Sequence, residues 1–173
     1  MNPHLTIKSV LETELPLLRD LAEETFVGAF GPVNTPENMH QYVSNTFAME
    51  QVRASFQQEG ATYFFGWKDG EAIAYLKLNE GAAQTEGDLE NALEIERIYV
   101  KATHQGQNIG QQLLAFALHK ARQTHKSWLW LGVWDQNKAA IRFYERHGFS
   151  TFGQHEFYLG SDFQNDLLMR LKL

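Results

Sequence analysis

The segment between residues 93 and 134 constrains the fold of this chain more than any other part of the sequence. It begins with LEIERIYV at 93–100, whose apolar alternation predicts a strand. A loop with two glycines, QGQNIG at 105–110, leads into an amphipathic helix predicted over 108–125, and SWLWLGVW at 127–134 predicts another strand. Because free N–H groups at a helix N-terminus attract anions, the loop is either a plain connector or an anion cradle. The loop residues alone do not decide between the two.

The rest of the chain adds helices and strands on both sides of this segment. Helical spacing, an N-cap at Thr35 followed by Pro36, and a stop at Gly148 predict helices at 12–30, 36–47, 50–58, 108–125 and 137–148. Period-two alternation and an Asp69-Gly70 hairpin turn predict strands at 4–10, 61–67, 71–80, 93–100, 127–134, 150–159 and 166–173. This order predicts a single α/β domain over residues 1–173 with a mixed sheet.

Composition excludes several classes of function. The chain of 173 residues has a formal net charge of −6, which argues against nucleic-acid binding through a basic face and suits a cationic small substrate better. It contains no cysteine, which excludes a thiolate nucleophile and cysteine-ligated zinc, and its seven histidines lack the spacing of a metal site. Because no apolar run reaches membrane-spanning length and the N-terminus lacks a signal-peptide pattern, we expect a cytoplasmic protein that does not bind membranes.

Three stretches together resemble a known enzyme family. LEIERIYV, QGQNIGQQLL and WLGVWDQNKAAIRFYERHGF resemble motifs A and B of the GNAT superfamily of N-acetyltransferases. In that superfamily a Gln/Arg-x-x-Gly-x-Gly/Ala loop holds the pyrophosphate of coenzyme A, and Gln105, Asn108 and Gly110 occupy its positions here. The resemblance implies the GNAT fold, in which a mixed twisted sheet of about seven strands is flanked by helices. It also implies a splay between parallel strands 93–100 and 127–134.

The resemblance further implies which residues contact acetyl-CoA, the expected co-substrate. These residues are Ile98, Tyr99, Val100, Gln105, Gly106, Gln107, Asn108, Ile109, Gly110, Gln111, Asn137, Ala140, Phe143, Tyr144 and Arg146. Asn108 departs from the family pattern, which has glycine at this position. Asparagine tolerates a left-handed backbone, and its side chain can cap the helix that begins there, so we expect the cradle to be intact.

Two glutamates are candidates for the catalytic base, because an acceptor amine must lose a proton during acetyl transfer. Glu94 and Glu96 are expected on one face of their strand, together with Ile98 and Val100, since strand side chains alternate. By resemblance to the polyamine acetyltransferases of this superfamily, Glu96 is the base and Glu94 is the neighbouring candidate. The alternative is a solvated strand carboxylate without a catalytic role.

Tyr144 is the candidate for protonating the departing thiolate. It matches the family's tyrosine on the helix 137–148, and a phenol with a pKa of about 10 is protonated at neutral pH. The alternative is a core aromatic residue beside Phe143. Asn137 is expected both to cap this helix and to bind coenzyme A, and Trp134 is a candidate for lining the acceptor site.

The acceptor implied by the resemblance is a polyamine. Residues 24–47, together with both motifs, look like the Pai-type bacterial polyamine N-acetyltransferases, which implies direct transfer to spermidine or spermine in a ternary complex. Six carboxylates without a lysine or arginine between residues 80 and 96 either attract a polycation or belong to a solvated loop. The alternatives are acetylation of a protein N-terminus, an amino acid or an aminoglycoside, and a non-catalytic module that binds coenzyme A. The family resemblance also favours a homodimer.

Overall fold

Seven strands form one mixed sheet in the computed structural model, which describes residues 5–173. The strands are β1 Thr6–Ser9, β2 Ala61–Lys68, β3 Glu71–Asn79, β4 Ala92–Val100, β5 Trp128–Trp134, β6 Ser150–Leu159 and β7 Asp162–Lys172. They lie in the order β1-β2-β3-β4-β5-β7-β6, and every neighbouring pair is antiparallel except β4 and β5. The predicted α/β architecture with a mixed sheet is confirmed.

Within residues 5–173, the α-helices are α1 Leu15–Phe30, α2 Pro36–Thr46, α3 Met49–Gln57, α4 Ile109–Gln123 and α5 Lys138–Arg146. Their bounds agree with the predicted helices to within a few residues. The first strand is shorter than predicted, with His4 outside the described residues, and β7 begins earlier than predicted, at Asp162. No helix in this part of the chain has both the length and the apolar character needed to cross a membrane.

Helices cover both faces of the sheet. On the face that carries α4 and α5, Leu113 and Leu114 pack against Leu129 of β5. On the face that carries α1, α2 and α3, Leu18 of α1 packs in a second cluster with Tyr75 of β3. All five side chains are at most 1% exposed. Full burial of one such side chain stabilises the fold by about 1.5–3 kcal/mol, so the two clusters hold the sheet rigidly between the helix layers.

The parallel strands β4 and β5 pair only over their first residues. Their register runs from Ala92 opposite Trp128 to Ile95 opposite Leu131. Beyond this point β4 continues to pair with β3, and β5 continues to pair with β7, while the two strands separate from each other. The predicted splay between these strands is confirmed, and it opens the centre of the sheet.

Candidate active site

The splay between β4 and β5 opens into a cleft of about 1640 Å³ that reaches both faces of the sheet. We call its α4–α5 side the loop side and its α1–α3 side the carboxylate side. Every site residue predicted from the sequence except Gln107 lines this cleft: Glu96, Ile98, Tyr99, Val100, Gln105, Gly106, Asn108, Ile109, Gly110, Gln111, Asn137, Ala140, Phe143, Tyr144 and Arg146. Glu94 and Trp134 line it as well.

The loop before α4 has the backbone geometry of an anion cradle. Gly106 and Asn108 both have positive φ, at 75° and 60°. Left-handed residues in such a loop turn successive backbone N–H groups toward one point, where the N-terminal end of a helix also attracts negative charge. A Cβ added to Gly110 would meet no atom within 4 Å, so the cradle is open at this point. Asn108 therefore takes the left-handed conformation predicted for it.

The predicted capping role of Asn108 is wrong. Its side chain makes no capping hydrogen bond to α4. The reason is its backbone: a capping side chain reaches back from an extended residue, and the left-handed conformation of Asn108 turns the side chain elsewhere. The side chain is instead exposed within the cleft.

The two glutamines of the loop have different positions. Gln105 lines the cleft, and its Nε2 donates to the Val100 carbonyl at 3.2 Å, which ties the loop to the end of β4. Gln107 does not line the cleft. Its Oε1 accepts from Lys68 Nζ at 2.7 Å, and its Nε2 donates to the Thr103 carbonyl. These two hydrogen bonds anchor the loop on the side that faces away from the cleft.

Helix α5 forms the second wall of the loop side. Asn137 Oδ1 accepts from the Ala140 N–H at 3.1 Å, which confirms the predicted N-cap. His147 Nδ1 donates to the Phe143 carbonyl at 2.7 Å, and the imidazole packs on the Phe143 ring. His147 and Gln136 also line the cleft, although the sequence patterns did not single them out.

Tyr144 lies at the boundary between the core and the cleft. It is only 7% exposed and packs edge-to-face with Phe143 and Phe149, so it belongs to the core. It also lines the cleft, and among residues 5–173 its hydroxyl has no hydrogen-bond partner. Burial raises the pKa of Tyr144 above that of a free phenol, so the hydroxyl is protonated at neutral pH and can act as a donor.

A β-bulge corrects the predicted arrangement of β4. Lys77 of β3 pairs with Arg97, whereas the next residue, Leu78, pairs with Ile95, so Glu96 is an extra residue without a partner. The bulge reverses the alternation beyond this point. Glu94 and Glu96 share a contact on the carboxylate side, but Ile98 and Val100 pack into the α4–α5 core on the opposite face. The expectation that all four lie on one face is wrong.

Glu94 and Glu96 differ in access to the cleft. Glu94 is 2% exposed, and both its oxygens are occupied by Thr85 and by Asn79 Nδ2. The Glu96 side chain is 23% exposed, and its Oε2 contacts Lys77 Nζ and Asn79 Nδ2. Its Oε1 has no hydrogen bond within the described residues and lies 4.0 Å from Arg97 Nε. Glu96 is therefore the glutamate with an oxygen available to a ligand.

The environments of the two glutamates also shift their pKa values in opposite directions. Burial raises the pKa of Glu94, and hydrogen bonds from Thr85 and Asn79 offset this only in part. Burial also acts to raise the pKa of Glu96, but the Lys77 ammonium and the hydrogen bonds outweigh it, so the pKa of Glu96 is lowered. Glu96 is consequently a carboxylate at any neutral or mildly acidic pH.

Aromatic and acidic side chains form the outer wall of the carboxylate side. Phe30 of α1 packs near Trp134 with ring centroids 6.0 Å apart, and Tyr42 and Phe157 line the same wall. Asp166 of β7 lines it too, and burial raises the pKa of this carboxyl. Only Trp134 of this wall was predicted, because the other residues come from elements distant in sequence.

The acidic loop before β4 is fixed to the sheet by its side chains, which argues against a purely solvated loop. Gln84 Oε1 accepts from Trp130 Nε1 at 2.8 Å. Thr85 donates to Glu94 through its backbone N–H at 2.9 Å. Glu86 forms an ion pair with His155 of β6 when the imidazole is protonated. The loop therefore closes one end of the carboxylate side.

A family model described as the acetyltransferase (GNAT) family matches residues 17–149. The chain belongs to the GNAT family of acetyltransferases. It is accordingly an N-acetyltransferase, and GNAT enzymes take their acetyl group from acetyl-CoA. This chain is also 40% identical over 167 residues to an uncharacterized N-acetyltransferase of Lactobacillus delbrueckii subsp. lactis, with 96% of each chain covered.

Two solved structures resemble this GNAT chain over almost its whole length. The PaiA N-acetyltransferase of Thermoplasma acidophilum in complex with coenzyme A has a TM-score of 0.78 and 18% identity, covering 98% of this chain and 99% of that one. The ribosomal-protein-S18-alanine N-acetyltransferase of Escherichia coli has a TM-score of 0.72 and 20% identity, covering 98% and 94%. At these identities the similarity shows the shared GNAT fold alone.

Proposed function

We propose that this GNAT enzyme acetylates a primary amine of a polyamine such as spermidine or spermine, by direct attack in a ternary complex. The observation that carries the proposal is the cleft through the sheet. It joins an anion cradle on the loop side to an aromatic and acidic wall on the carboxylate side, with Glu96 and Tyr144 along it. We also propose that the enzyme is cytoplasmic and forms a homodimer.

The loop side fits coenzyme A. The backbone of Gly106 to Gly110 would hold the pyrophosphate, because left-handed Gly106 and Asn108 and the open space at Gly110 leave room for two phosphates. Beyond Ile95 the edge of β4 does not pair with β5, so the backbone of Ile98 and the N–H of Val100 would bind the pantetheine arm, while the Val100 carbonyl accepts from Gln105. Asn137, Ala140, Phe143 and Arg146 would contact the rest of the molecule. Bound acetyl-CoA supplies the acetyl group as a thioester, whose carbonyl carbon accepts the amine and whose sulfur departs.

Glu96 would hold and deprotonate the amine. An alkylammonium has a pKa of about 10.4, so producing the free amine at pH 7 costs about 4–5 kcal/mol. The free Oε1 of Glu96 offers a charge-assisted contact to this ammonium. Because the pKa of Glu96 is lowered, full transfer from the resting ammonium is unfavourable. We therefore propose that the ammonium first loses one proton to solvent, and that Glu96 accepts the second proton, which becomes acidic once the N–C bond has formed.

Tyr144 would supply the proton that the departing sulfur needs. As the new N–C bond forms, the C–S bond breaks, the amine proton leaves through Glu96, and the sulfur accepts a proton from the Tyr144 hydroxyl. The proton held by Glu96 then passes to water, and water returns a proton to Tyr144, so that both side chains regain their starting protonation states. Tyr144 suits this role because the residue is largely buried beside the cleft and, within the described residues, no protein group competes for the hydrogen of its hydroxyl.

The carboxylate side favours a flexible polycation as the acceptor. Aromatic rings attract cations, and Phe30, Trp134 and Phe157 surround a space that also contains Asp166 and Glu86. A second ammonium of a polyamine would find these groups beyond Glu96. The fold is shared both with a PaiA N-acetyltransferase and with a ribosomal-protein-alanine N-acetyltransferase, so it does not select the acceptor, and a peptide N-terminus is the principal competitor.

The proposal is tested by thiol release from acetyl-CoA with a panel of amines: spermidine, spermine, butylamine and a peptide with an N-terminal alanine. We expect kcat/KM for spermidine to exceed that for butylamine by at least about 10-fold, since a second charged contact contributes about 1.4 kcal/mol or more. Raising the salt concentration should raise the KM for spermidine more than that for butylamine.

Two outcomes contradict the proposal, and a third contradicts the contact with a second ammonium. Release with the peptide but not with polyamines would identify a peptide N-acetyltransferase. Coenzyme A binding by calorimetry, without thiol release for any amine, would identify a binding module instead of an enzyme for these acceptors. Equal salt dependence for spermidine and butylamine would remove the second ammonium contact.

A further inference from the structure

A buried lysine lies behind the proposed amine site. Strand β3 is buried from Ala72 to Asn79, and Lys77 and Asn79 are its polar members within that span, at 4% and 0% exposure. Burying a charged side chain costs several kcal/mol unless a partner compensates for it. An apolar side chain at position 77 would satisfy the packing of this strand without that cost, so the contacts of Lys77 require an explanation.

Lys77 Nζ contacts Glu96 Oε2 and donates to Ser55 Oγ of α3 at 2.9 Å. It also lies over the Tyr63 ring, 5.4 Å from the centroid. Asn79 Nδ2 donates to the same Glu96 oxygen at 2.5 Å. Both polar side chains of β3 therefore converge on one oxygen of the bulged glutamate.

These contacts determine the orientation of the Glu96 carboxylate. Because Oε2 is held from the β3 side, Oε1 is left on the side of the cleft, where the described residues provide no hydrogen bond to it. The bulge contributes as well, since Glu96 has no opposite residue in the β3–β4 register and its side chain is free to turn toward Lys77.

We propose that Lys77 is a positioning residue for acetyl transfer, which keeps the Glu96 carboxylate ionised and its Oε1 directed into the cleft. The inference rests on the proposed role of Glu96 as the group that accepts the amine proton. Lys77 itself lines neither side of the cleft and does not touch the substrates. Its effect on the reaction passes through Glu96.

Several other charged or titratable groups face Glu96, and each differs from Lys77 in its expected effect. The charge of Glu96 raises the pKa of Glu94 and of Tyr63, whereas Arg97, at 4.0 Å, lowers the pKa of Glu96. The direct ion pair with Lys77 is the larger favourable influence on the pKa of Glu96. Without Lys77, burial would dominate, and the pKa of Glu96 would rise.

The test is the pH dependence of Lys77→Met relative to wild type. The ratio of their kcat/KM values with one amine cancels the titration of the amine itself. We expect the ratio to fall by about 10-fold between pH 9 and pH 6, because the pKa of Glu96 rises when the Lys77 ammonium no longer offsets burial. Ser55→Ala, which removes a neutral partner of Lys77 and leaves the ion pair, is the matched control and should give a ratio independent of pH.

Coenzyme A binding, measured by calorimetry, shows whether each variant is folded. If Lys77→Met does not fold, Lys77→Gln replaces it, because glutamine keeps a hydrogen-bond donor but removes the charge. A ratio that does not change with pH overturns the proposal, as does failure of both lysine variants to fold, which would make Lys77 a structural residue. The variant Glu96→Gln distinguishes failure of the proposed role of Glu96 from failure of the proposed role of Lys77. Full activity of Glu96→Gln would refute the role of Glu96, whereas an impaired Glu96→Gln with a flat Lys77→Met ratio would refute only the role of Lys77.

Discussion

Replacement of Asn108 by valine tests whether the left-handed backbone of the loop is needed for coenzyme A binding. Asn108 has φ of 60°. Left-handed geometry costs an ordinary L-residue about 1–2 kcal/mol, and a β-branched residue is a true outlier there. In the free protein the exposed loop of Asn108→Val can relax to negative φ. Binding must then restore the cradle, so the cost appears in the affinity.

A cost of about 1–2 kcal/mol corresponds to a Kd for coenzyme A that is about 5- to 30-fold higher than that of the wild type. The assay is isothermal titration calorimetry with free coenzyme A, which carries no acetyl group, so that turnover does not interfere. Asn108→Gly keeps the left-handed conformation and is the matched control. Because the Asn108 side chain makes no capping hydrogen bond, we expect the Kd of Asn108→Gly to stay within about 2-fold of wild type.

Two results would refute this reasoning. If Asn108→Val binds coenzyme A as tightly as wild type, the pyrophosphate does not depend on this backbone conformation. If Asn108→Gly loses as much affinity as Asn108→Val, the amide side chain of Asn108 and not its φ value is what the ligand needs.

Further predictions concern Tyr144 and Glu96. Tyr144→Phe should lower kcat by about 100-fold and leave the Kd of coenzyme A unchanged, since it removes only a proton donor; unchanged turnover would reject the role of the hydroxyl. Glu96→Gln should lower kcat/KM by at least about 10-fold with each amine. Because the pKa of Glu96 is lowered in the folded protein, its stabilising contribution is present above the unfolded pKa of about 4.5 and is lost as the pH falls below it. Thermal unfolding of wild type and Glu96→Gln should therefore differ at pH 7 and converge near pH 3; a constant difference would contradict the shift.

The order of elements was predictable from sequence because its signals are local, whereas the residues of the loop side were predicted from the family resemblance. Helical spacing, the Thr35 cap and the Gly148 stop depend on neighbours in the chain, and each is present in the structure. The left-handed tolerance of Asn108 is likewise a property of one residue type. Its capping role could not be judged locally, because that depends on the same φ angle that makes the cradle.

The carboxylate side was harder to predict because its residues meet only through the tertiary fold. Nothing in LEIERIYV marks the bulge at Glu96, since neither glycine nor proline is present, and period-two counting therefore placed Ile98 on the wrong face. The contact between Glu86 and His155 joins segments far apart in sequence. The sequence does contain one local signal for Lys77, since it is a single lysine inside the apolar run IAYLKL. Such a lysine indicates a buried partner but does not identify which residue that partner is.

The most direct test of the proposed function is a competition experiment with product analysis. Equal concentrations of spermidine and a peptide with an N-terminal alanine are incubated with acetyl-CoA and the enzyme, and the acetylated products are quantified by mass spectrometry. The ratio of products under initial-rate conditions equals the ratio of the two kcat/KM values. We predict acetylspermidine as the main product, with its formation abolished in the Glu96→Gln, Tyr144→Phe double variant. Acetylation of the peptide with spermidine left unmodified would contradict the account.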